Sequence, residues 1–320
     1  MATVVTQRIG HREKPKRLET LDITVLAGGP GSEREVSVAS GQAVSDALRR
    51  LGHNVELADI APGNLGALDR PADFVFIALH GEFGEDGAVQ DELESRGLAY
   101  SGSGPRASRL AMNKAVCKRV FEQAGVPTPQ YLVATADNLA AIAESFEPPA
   151  VVKPVASGSS VDTSIVRTRE ALARDVRNLI DKYGDALIER YVRGPELTVG
   201  IIGDQPLPVC EIRTKREFYD YQAKYVDDDT QYVFDTSVSK SVGRRVQELS
   251  LTAHRALGCR AFSRIDWMID ASTDKPFALE VNTIPGFTSH SLLPKAAARV
   301  GIGFDELCQK ILELSFEGRE

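Results

Sequence analysis

Residues 264–291 read RIDWMIDASTDKPFALEVNTIPGFTSHS. Two apolar runs flank the turn-like DASTDKP, which predicts a β-hairpin. Side chains along a strand alternate between faces. Arg264 and Asp266 therefore share a face of the first strand, and Glu280 and Asn282 share one of the second. A fold about Thr273 sets Asp266 across from Glu280 and Arg264 across from Asn282. Directly opposed carboxylates destabilise a strand pair, so a positive group is expected between them. Asp266, Glu280 and Asn282 are hard oxygen donors with no Cys or His among them. That set fits Mg²⁺ or Mn²⁺ completed by phosphate oxygens and water, and not zinc.

Working back from the hairpin, the texture of the chain changes twice. From Pro195 onward it is mostly β, with the hairpin-like LTVGIIGDQPLPVCEI, the polar, loop-rich FYDYQAKYVDDDTQYVF, the helical VGRRVQELSLTAHRALG and a closing helix GFDELCQKILELSF. Before it lies a small α+β unit: the amphipathic RLAMNKAVCKRVFEQAG, two strands around a Gly/Ser loop in AVVKPVASGSSVDTSIV, a helix and the strand DALIERYVRG. The first third alternates strand and helix. DITVLAGG, NVELADI, FVFIALHG and a brief LAYSG read as strands, and EVSVASGQAVSDALRRLGH and AVQDELESRG as helices. Val36, Ala39, Val44, Ala47 and Leu48 form the expected apolar stripe of the first helix. Such alternation implies a parallel α/β sheet with ligand-facing residues at the carboxyl ends of strands, where Gly28-Gly29 and His80-Gly81 fall. The expected divisions are an N-terminal extension (1–20), an α/β domain (21–104), a central α+β subdomain (105–190) and a C-terminal subdomain (191–320).

Composition narrows the function. A net charge of −7 over 320 residues gives no electrostatic footing for nucleic acid or an anionic membrane. No apolar run reaches a membrane span and no signal-peptide core is read, so the cytoplasm is the expected location. The cysteines 117, 210, 259 and 308 lack CxxC spacing and read as reduced packing residues.

Two further stretches carry chemistry. In VVKPVASGSSVDTS, Lys153 ends a buried strand, and Gly158, Ser159 and Ser160 supply open backbone N–H groups and hydroxyls for a phosphate. On these residues alone a plain glycine hairpin with a surface lysine reads equally well. In LIERYVRGPELTV, Glu189 and Glu196 bracket a strand-to-turn segment. One carboxylate there can accept both hydroxyls of a ribose, or both acids are simply solvated. A phosphate cradle and a magnesium-type acid cluster in one chain indicate nucleotide phosphoryl chemistry. The lysine of a Walker loop is missing from GGPGSEREVS.

Taken in order, GGPGSEREVS, LHGEFGEDGAVQ, YSGSG…AMNK, KPVASGSSV, IERYVRGPELTV, FYDYQAKY, RIDWMID and EVNTIPGFTSHS resemble the ATP-grasp enzymes, and among them the D-alanine–D-alanine ligases. The resemblance runs from about Ile23 to about Leu314. It implies a Rossmann-like pre-ATP-grasp domain followed by a two-part α+β ATP-grasp fold. It also implies ATP-driven joining of two D-alanines through a D-alanyl phosphate, for peptidoglycan precursors. Lys114 and Lys153 match the phosphate-holding positions, with Ser160 in the cradle. Glu189 matches the adenine-side acid, with backbone of Tyr191 or Val192 facing the base, and Glu196 the ribose acid. Asp266, Glu280 and Asn282 match the ligands of two magnesium (or manganese) ions. Glu33 faces the ammonium of the first D-alanine, and Arg264 the oxyanion formed when the second attacks. Ser291 and the backbone of Leu292 match the grip on the second carboxylate. Glu33, Ser159 and Tyr225 match a hydrogen-bonded trio. Lys224 and Tyr225 belong to a lid, and that pair favours a dipeptide over a D-lactate ester. His80 either lines the first substrate's pocket or packs the strand end. The family's enzymes imply a homodimer with small-molecule substrates only.

The chain departs from the family where GSSVG reads GSSVD: Asp162 replaces a glycine, and Ser157 stands where an acid is common. Pro30 also departs from the commoner GGxSx pattern. An acid beside ATP's phosphates and a side chain at a glycine position put loop mobility and ATP affinity at stake. The rivals are a same-fold ligase using D-lactate or D-serine, an ATP-grasp enzyme for another acid and amine, and a non-catalytic nucleotide-binding relative.

Overall fold

The computed structural model describes residues 20–158, 160–216, 229–288 and 291–317. Strand β1 (Asp22–Gly28) lies between β2 (Asn54–Ile60) and β3 (Phe74–Ile77) in a parallel three-stranded sheet. All four residues of β3 are buried, as befits a strand covered on both faces. LAYSG adds only a single bridge, Tyr100 to Val75, in place of the expected strand.

Helix α1 (Arg34–Arg50) corrects the expected apolar stripe. Val44, Ala47 and Leu48 are buried, but Val36 is half-buried and Ala39 exposed; Ser37, Ser40 and Gly41 face inward instead. The Ser37 hydroxyl donates to the Ala78 carbonyl (2.8 Å). A Cβ at Gly41 would sit 2.5 Å from that of Ala27, so the helix approaches β1 closely. Short α2 (Ala88–Ser95) follows the glycine-rich turn after β3.

The single amphipathic helix expected at RLAMNKAVCKRVFEQAG is two, α3 (Pro105–Met112) and α4 (Lys114–Gln123). The break is at Asn113, whose side chain accepts the Val116 N–H (3.0 Å) and caps α4. Lys114 and Lys118 are one turn apart, so they project from one face. Beyond α4 come β4 (Tyr131–Thr135), α5 (Leu139–Ser145), β5 (Ala150–Lys153), β6 (Ser164–Val166), α6 (Arg169–Tyr183) and β7 (Asp185–Arg190). The four strands form an antiparallel sheet, order β4-β7-β5-β6, with the cradle loop joining β5 to β6.

The last sheet has β8 (Glu196–Ile202), β9 (Gln205–Pro206), β10 (Cys210–Arg213) and β11 (Gln231–Val233), the last a strand inside a stretch read as loop. Helix α7 (Lys240–Leu257) precedes β12 (Phe262–Ile269) and β13 (Pro276–Asn282). The order is β11-β10-β8-β12-β13, with β9 paired to β8. As expected, Asp266 pairs with Glu280 and Arg264 with Asn282. The register shifts beyond Asp266, however, and Trp267 faces Ala278. Leu279 is thus an extra residue in β13, a bulge that lets neighbouring side chains share a face. Both Leu279 and Glu280 line the cleft, while Ala278 and Val281 pack in the core under α7 with Trp267.

Helices α8 (Leu292–Ala298) and α9 (Phe304–Glu317) return to the first sheet. Leu307, Ile311 and Leu312 of α9 share one core with Phe74 and Phe76 of β3. Phe287 joins the halves, edge-on to Phe76 (5.5 Å) and to Phe262 (5.6 Å). Truncating so buried a ring costs about 3–5 kcal/mol. Among the described residues no helix is long and apolar enough to cross a membrane.

Candidate active site

The opposed acids of the hairpin meet cations from the chain itself. Arg264 lays its guanidinium across Asp266, Nε to Oδ1 at 2.9 Å and Nη2 to Oδ2 at 2.8 Å. Thr198 Oγ1 donates to Asp266 Oδ1 (2.6 Å) and Asn282 Nδ2 to Oδ2 (3.1 Å). Lys114 Nζ stands 3.4 Å from Glu280. Among the described residues no three His, Cys, Asp or Glu side chains gather into a metal site. A divalent ion here would have two carboxylates, Asp266 and Glu280, and the amide oxygen of Asn282 to draw on. That short, hard donor set suits a magnesium ion that takes its remaining ligands from phosphate and water.

The hairpin is one wall of a cleft of about 370 Å³ between the four-stranded and C-terminal sheets. Val151 and Ile165 line it from one sheet, Met268 and Leu279 from the other. Lys114, Lys153, Ser160, Glu189, Tyr191, Val192, Glu196, Asp266 and Glu280 all reach it, nine of the residues singled out from sequence. Lys114 is buried and donates to the Ser157 carbonyl (2.5 Å), bridging cradle and hairpin. The Tyr191 N–H goes to the Pro149 carbonyl (3.2 Å).

Glu189 is only 2% exposed and holds two ammoniums, Lys118 on Oε1 (2.6 Å) and Lys153 on Oε2 (2.9 Å). Burial pushes the Glu189 carboxyl up, but the two lysines outweigh it and hold it below the usual carboxylate range. Burial pushes Lys118 below the usual lysine range. Sequence reasoning missed Lys118, because a lysine one turn after another reads as a solvated helix face. The available signal was its place between Cys117 and Phe121, both of which point inward.

At the seam between the first sheet and the hairpin, Glu33 stands at the N-cap of α1 and is buried. Added Cβ atoms at Gly81 and at Gly158 would each lie 2.7 Å from Glu33 Oε2. Only glycines leave room for this carboxylate, which sits between the HG turn and the cradle loop. His80 Nδ1 lies 3.1 Å from the Ile284 carbonyl, and Nε2 3.0 Å from Ser40 Oγ. A carbonyl only accepts, so Nδ1 carries the proton. Burial holds the ring below the usual imidazole range against the pull of Glu33. Nε2 of the neutral ring therefore accepts from Ser40, whose oxygen in turn accepts the Phe287 N–H (3.2 Å). His80 thus ties the first sheet to the segment after the hairpin. Sequence reasoning also missed Glu85, which accepts the Gly81 N–H (3.3 Å) and is pushed up to about 8, first by burial and then by Glu33. Arg264's charge acts on both His80 and Glu85, tying the seam to the hairpin.

Asp162 adopts a left-handed φ of 53° and turns its carboxylate to Lys182 Nζ (2.6 Å) and the Tyr183 hydroxyl (2.5 Å) at the end of α6. Ser291 Oγ accepts the Thr288 N–H (2.9 Å), and Leu292 begins α8. Ser159, Lys224 and Tyr225 lie outside the described residues.

The model of the D-Ala D-Ala ligase C-terminus matches residues 120–313. A D-alanine–D-alanine ligase of Anaeromyxobacter sp. (strain Fw109-5) is 42% identical over 297 residues, 91% of this chain and 96% of its own. The chain belongs to the D-alanine–D-alanine ligase family. Among solved structures, a family ligase of Bacillus anthracis complexed with ATP superposes with a TM-score of 0.79 at 32% identity, over 93% of this chain and 98% of that one. A D-Ala:D-Ser ligase of Enterococcus faecalis gives 0.82 at 26% identity, over 93% and 100%. The ATP-grasp architecture expected from the motifs is thus the fold of this ligase family.

Proposed function

We propose that the chain joins two D-alanines to D-alanyl-D-alanine at the expense of ATP, for peptidoglycan precursors, through a D-alanyl phosphate. The observation that carries this is the cleft with Lys114, Lys153, Asp266 and Glu280 on its walls. Adenine fits the apolar slot between Val151, Ile165, Met268 and Leu279, with Glu189 behind it, backbone of Tyr191 or Val192 along its edge and Glu196 at the ribose. Lys114, Lys153 and Ser160 hold the phosphates. Asp266, Glu280 and Asn282 would hold two magnesium or manganese ions, which neutralise the transferring phosphoryl group when bound.

Glu33, wedged between Gly81 and Gly158, receives the ammonium of the first D-alanine, and His80 fixes the backbone around it. Arg264 is already oriented by Asp266 and aims a fixed charge at the oxyanion formed when the second amine attacks. Ser291 and Leu292 grip the second carboxylate. By the family resemblance Lys224 and Tyr225 belong to a lid that keeps water from the acyl phosphate, and Ser159 and Tyr225 to a trio with Glu33; these three residues lie outside the described ones. The proposed divisions remain 21–104, 105–190 and 191–320, and the enzyme is placed in the cytoplasm as a homodimer.

The test is phosphate release from ATP with D-alanine, L-alanine and D-lactate side by side, with products weighed by mass spectrometry. Release with D-alanine and a D-alanyl-D-alanine product is expected. Release without any amino acid, or an ester with D-lactate, contradicts the proposal. Arg264→Met is expected to lower kcat by roughly 10²- to 10³-fold while ADP still binds.

A further inference from the structure

We propose that Lys118, which never touches the cleft, sets the charge of the phosphate subsite: its buried ammonium cancels Glu189, so that Lys153 presents an uncompensated positive charge to the nucleotide. The inference rests on the assignment of the phosphates to Lys153.

Lys118 is 0% exposed and is not among the cleft-lining residues, so it cannot bind nucleotide itself. Its ammonium forms an ion pair with Glu189 Oε1 (2.6 Å), donates to Thr128 Oγ1 (2.6 Å) and lies 5.7 Å from the centre of the Tyr131 ring. Thr128 Oγ1 is 2.8 Å from the Ala278 carbonyl, which can only accept. The threonine therefore spends its proton there and turns its lone pairs to Lys118, a fixed acceptor for a charged donor. Thr128 and Ala278 also couple this lysine to β13, one residue from the bulge that bears Glu280.

Among the described residues Lys153 has one close acid, Glu189 Oε2 at 2.9 Å. A lysine and a carboxylate alone form a neutral pair with little attraction for a polyphosphate. With Lys118 on the other carboxylate oxygen, the three groups carry one net positive charge. Low dielectric around them leaves that charge weakly screened at the cleft wall. Lys114 does not substitute, because its ammonium faces Glu280 and the Ser157 carbonyl. Lys118 is thus a positioning residue for the charge of Lys153.

The test is calorimetric binding of inorganic pyrophosphate and of ADP to the full chain, with magnesium, alongside steady-state kinetics. Lys118→Met is expected to weaken both ligands about tenfold and to raise KM for ATP, with kcat much less affected. In Lys118→Met/Glu189→Gln the single charge on Lys153 is again uncompensated, and pyrophosphate affinity is expected within about threefold of the unaltered chain. A merely structural lysine gives no such rescue. Binding by Lys118→Met equal to the unaltered chain overturns the proposal, as does a double variant that binds pyrophosphate about tenfold more weakly than the unaltered chain. The second criterion stands even where the single variant fails to fold. Lys153→Met separates the two levels. If it binds pyrophosphate normally, the phosphate assignment itself falls, and the proposal with it. If it binds weakly while Lys118→Met binds normally, the charge-balancing role alone is lost.

Discussion

Beneath the cleft, Lys118, Glu189 and Lys153 are buried as charges; at the seam, buried His80 and half-buried Glu85 are held without them. Both regions face the same penalty for removing an ion from water. The cleft meets it by pairing, with each oxygen of Glu189 on an ammonium at 2.6–2.9 Å. The seam meets it by protonation state, with His80 lowered and Glu85 raised to about 8. The division follows the chemistry each side is proposed to meet. A polyphosphate needs fixed positive charge beside it. A zwitterionic amino acid at Glu33 is best served when the neighbouring titratable groups add no competing charge.

Glu189→Gln gives the largest expected contrast. It strands buried Lys118 without its counter-ion, and loss of about 3–5 kcal/mol of stability is expected in urea unfolding. A loss below about 1 kcal/mol would erase the distinction between the regions. Next is the pH dependence of neutral burial. His254, bonded to Ser263 Oγ at 2.7 Å, is pushed down to about 4 by burial. As pH falls from 6.5 toward 4 the unfolded chain takes a proton that the folded chain refuses, so stability drops by up to about 3 kcal/mol. His254→Gln is expected to flatten that acid limb; an unchanged limb in unfolding curves contradicts it.

Glu85 has the opposite sign. Its carboxyl is raised from 4.5 to about 8, so its stability contribution is complete below pH 4.5 and is lost as pH rises toward 8. Glu85→Gln copies the protonated form. At or below pH 4.5 the variant is expected to lie within about 1 kcal/mol of the unaltered chain, to be the more stable by about 2 kcal/mol near pH 6, and to be more stable still by pH 9. Smallest is Asp162, whose partners Lys182 and Tyr183 are largely exposed. Asp162→Asn is expected to cost under about 1 kcal/mol and to shift KM for ATP only a few-fold. A tenfold shift would place that carboxylate at the phosphates and not at α6.

Much of this was legible in the sequence, for identifiable reasons. The hairpin pairing of Asp266 with Glu280 followed from period-two alternation and a polar turn. The bulge at Leu279 was not legible, since neither glycine nor proline marks it. Cleft residues such as Lys153 and Glu196 were found because strand ends and loops concentrate ligand-facing groups. Hydrophobic periodicity failed in α1, where Ser37 and Ser40 are buried to bond Ala78 and His80 rather than to fill a core. The break at Asn113 was recoverable, because a capping residue precedes an apolar run. The charge of Lys118 hid its burial, for only the fold shows that Glu189 awaits it. Asp162 read as an acid aimed at phosphate, but its left-handed φ of 53° carries it to α6.

The most direct test of the contrast is a carboxyl ¹³C titration of the folded chain by NMR, with Glu85→Gln and Glu189→Gln spectra to assign the two signals. The Glu85 carboxyl is expected to titrate near 8, with Glu189 still ionised below the ordinary 4.5. A Glu85 midpoint near 4.5, or a Glu189 midpoint above it, would contradict the division between a paired cleft and a neutral seam.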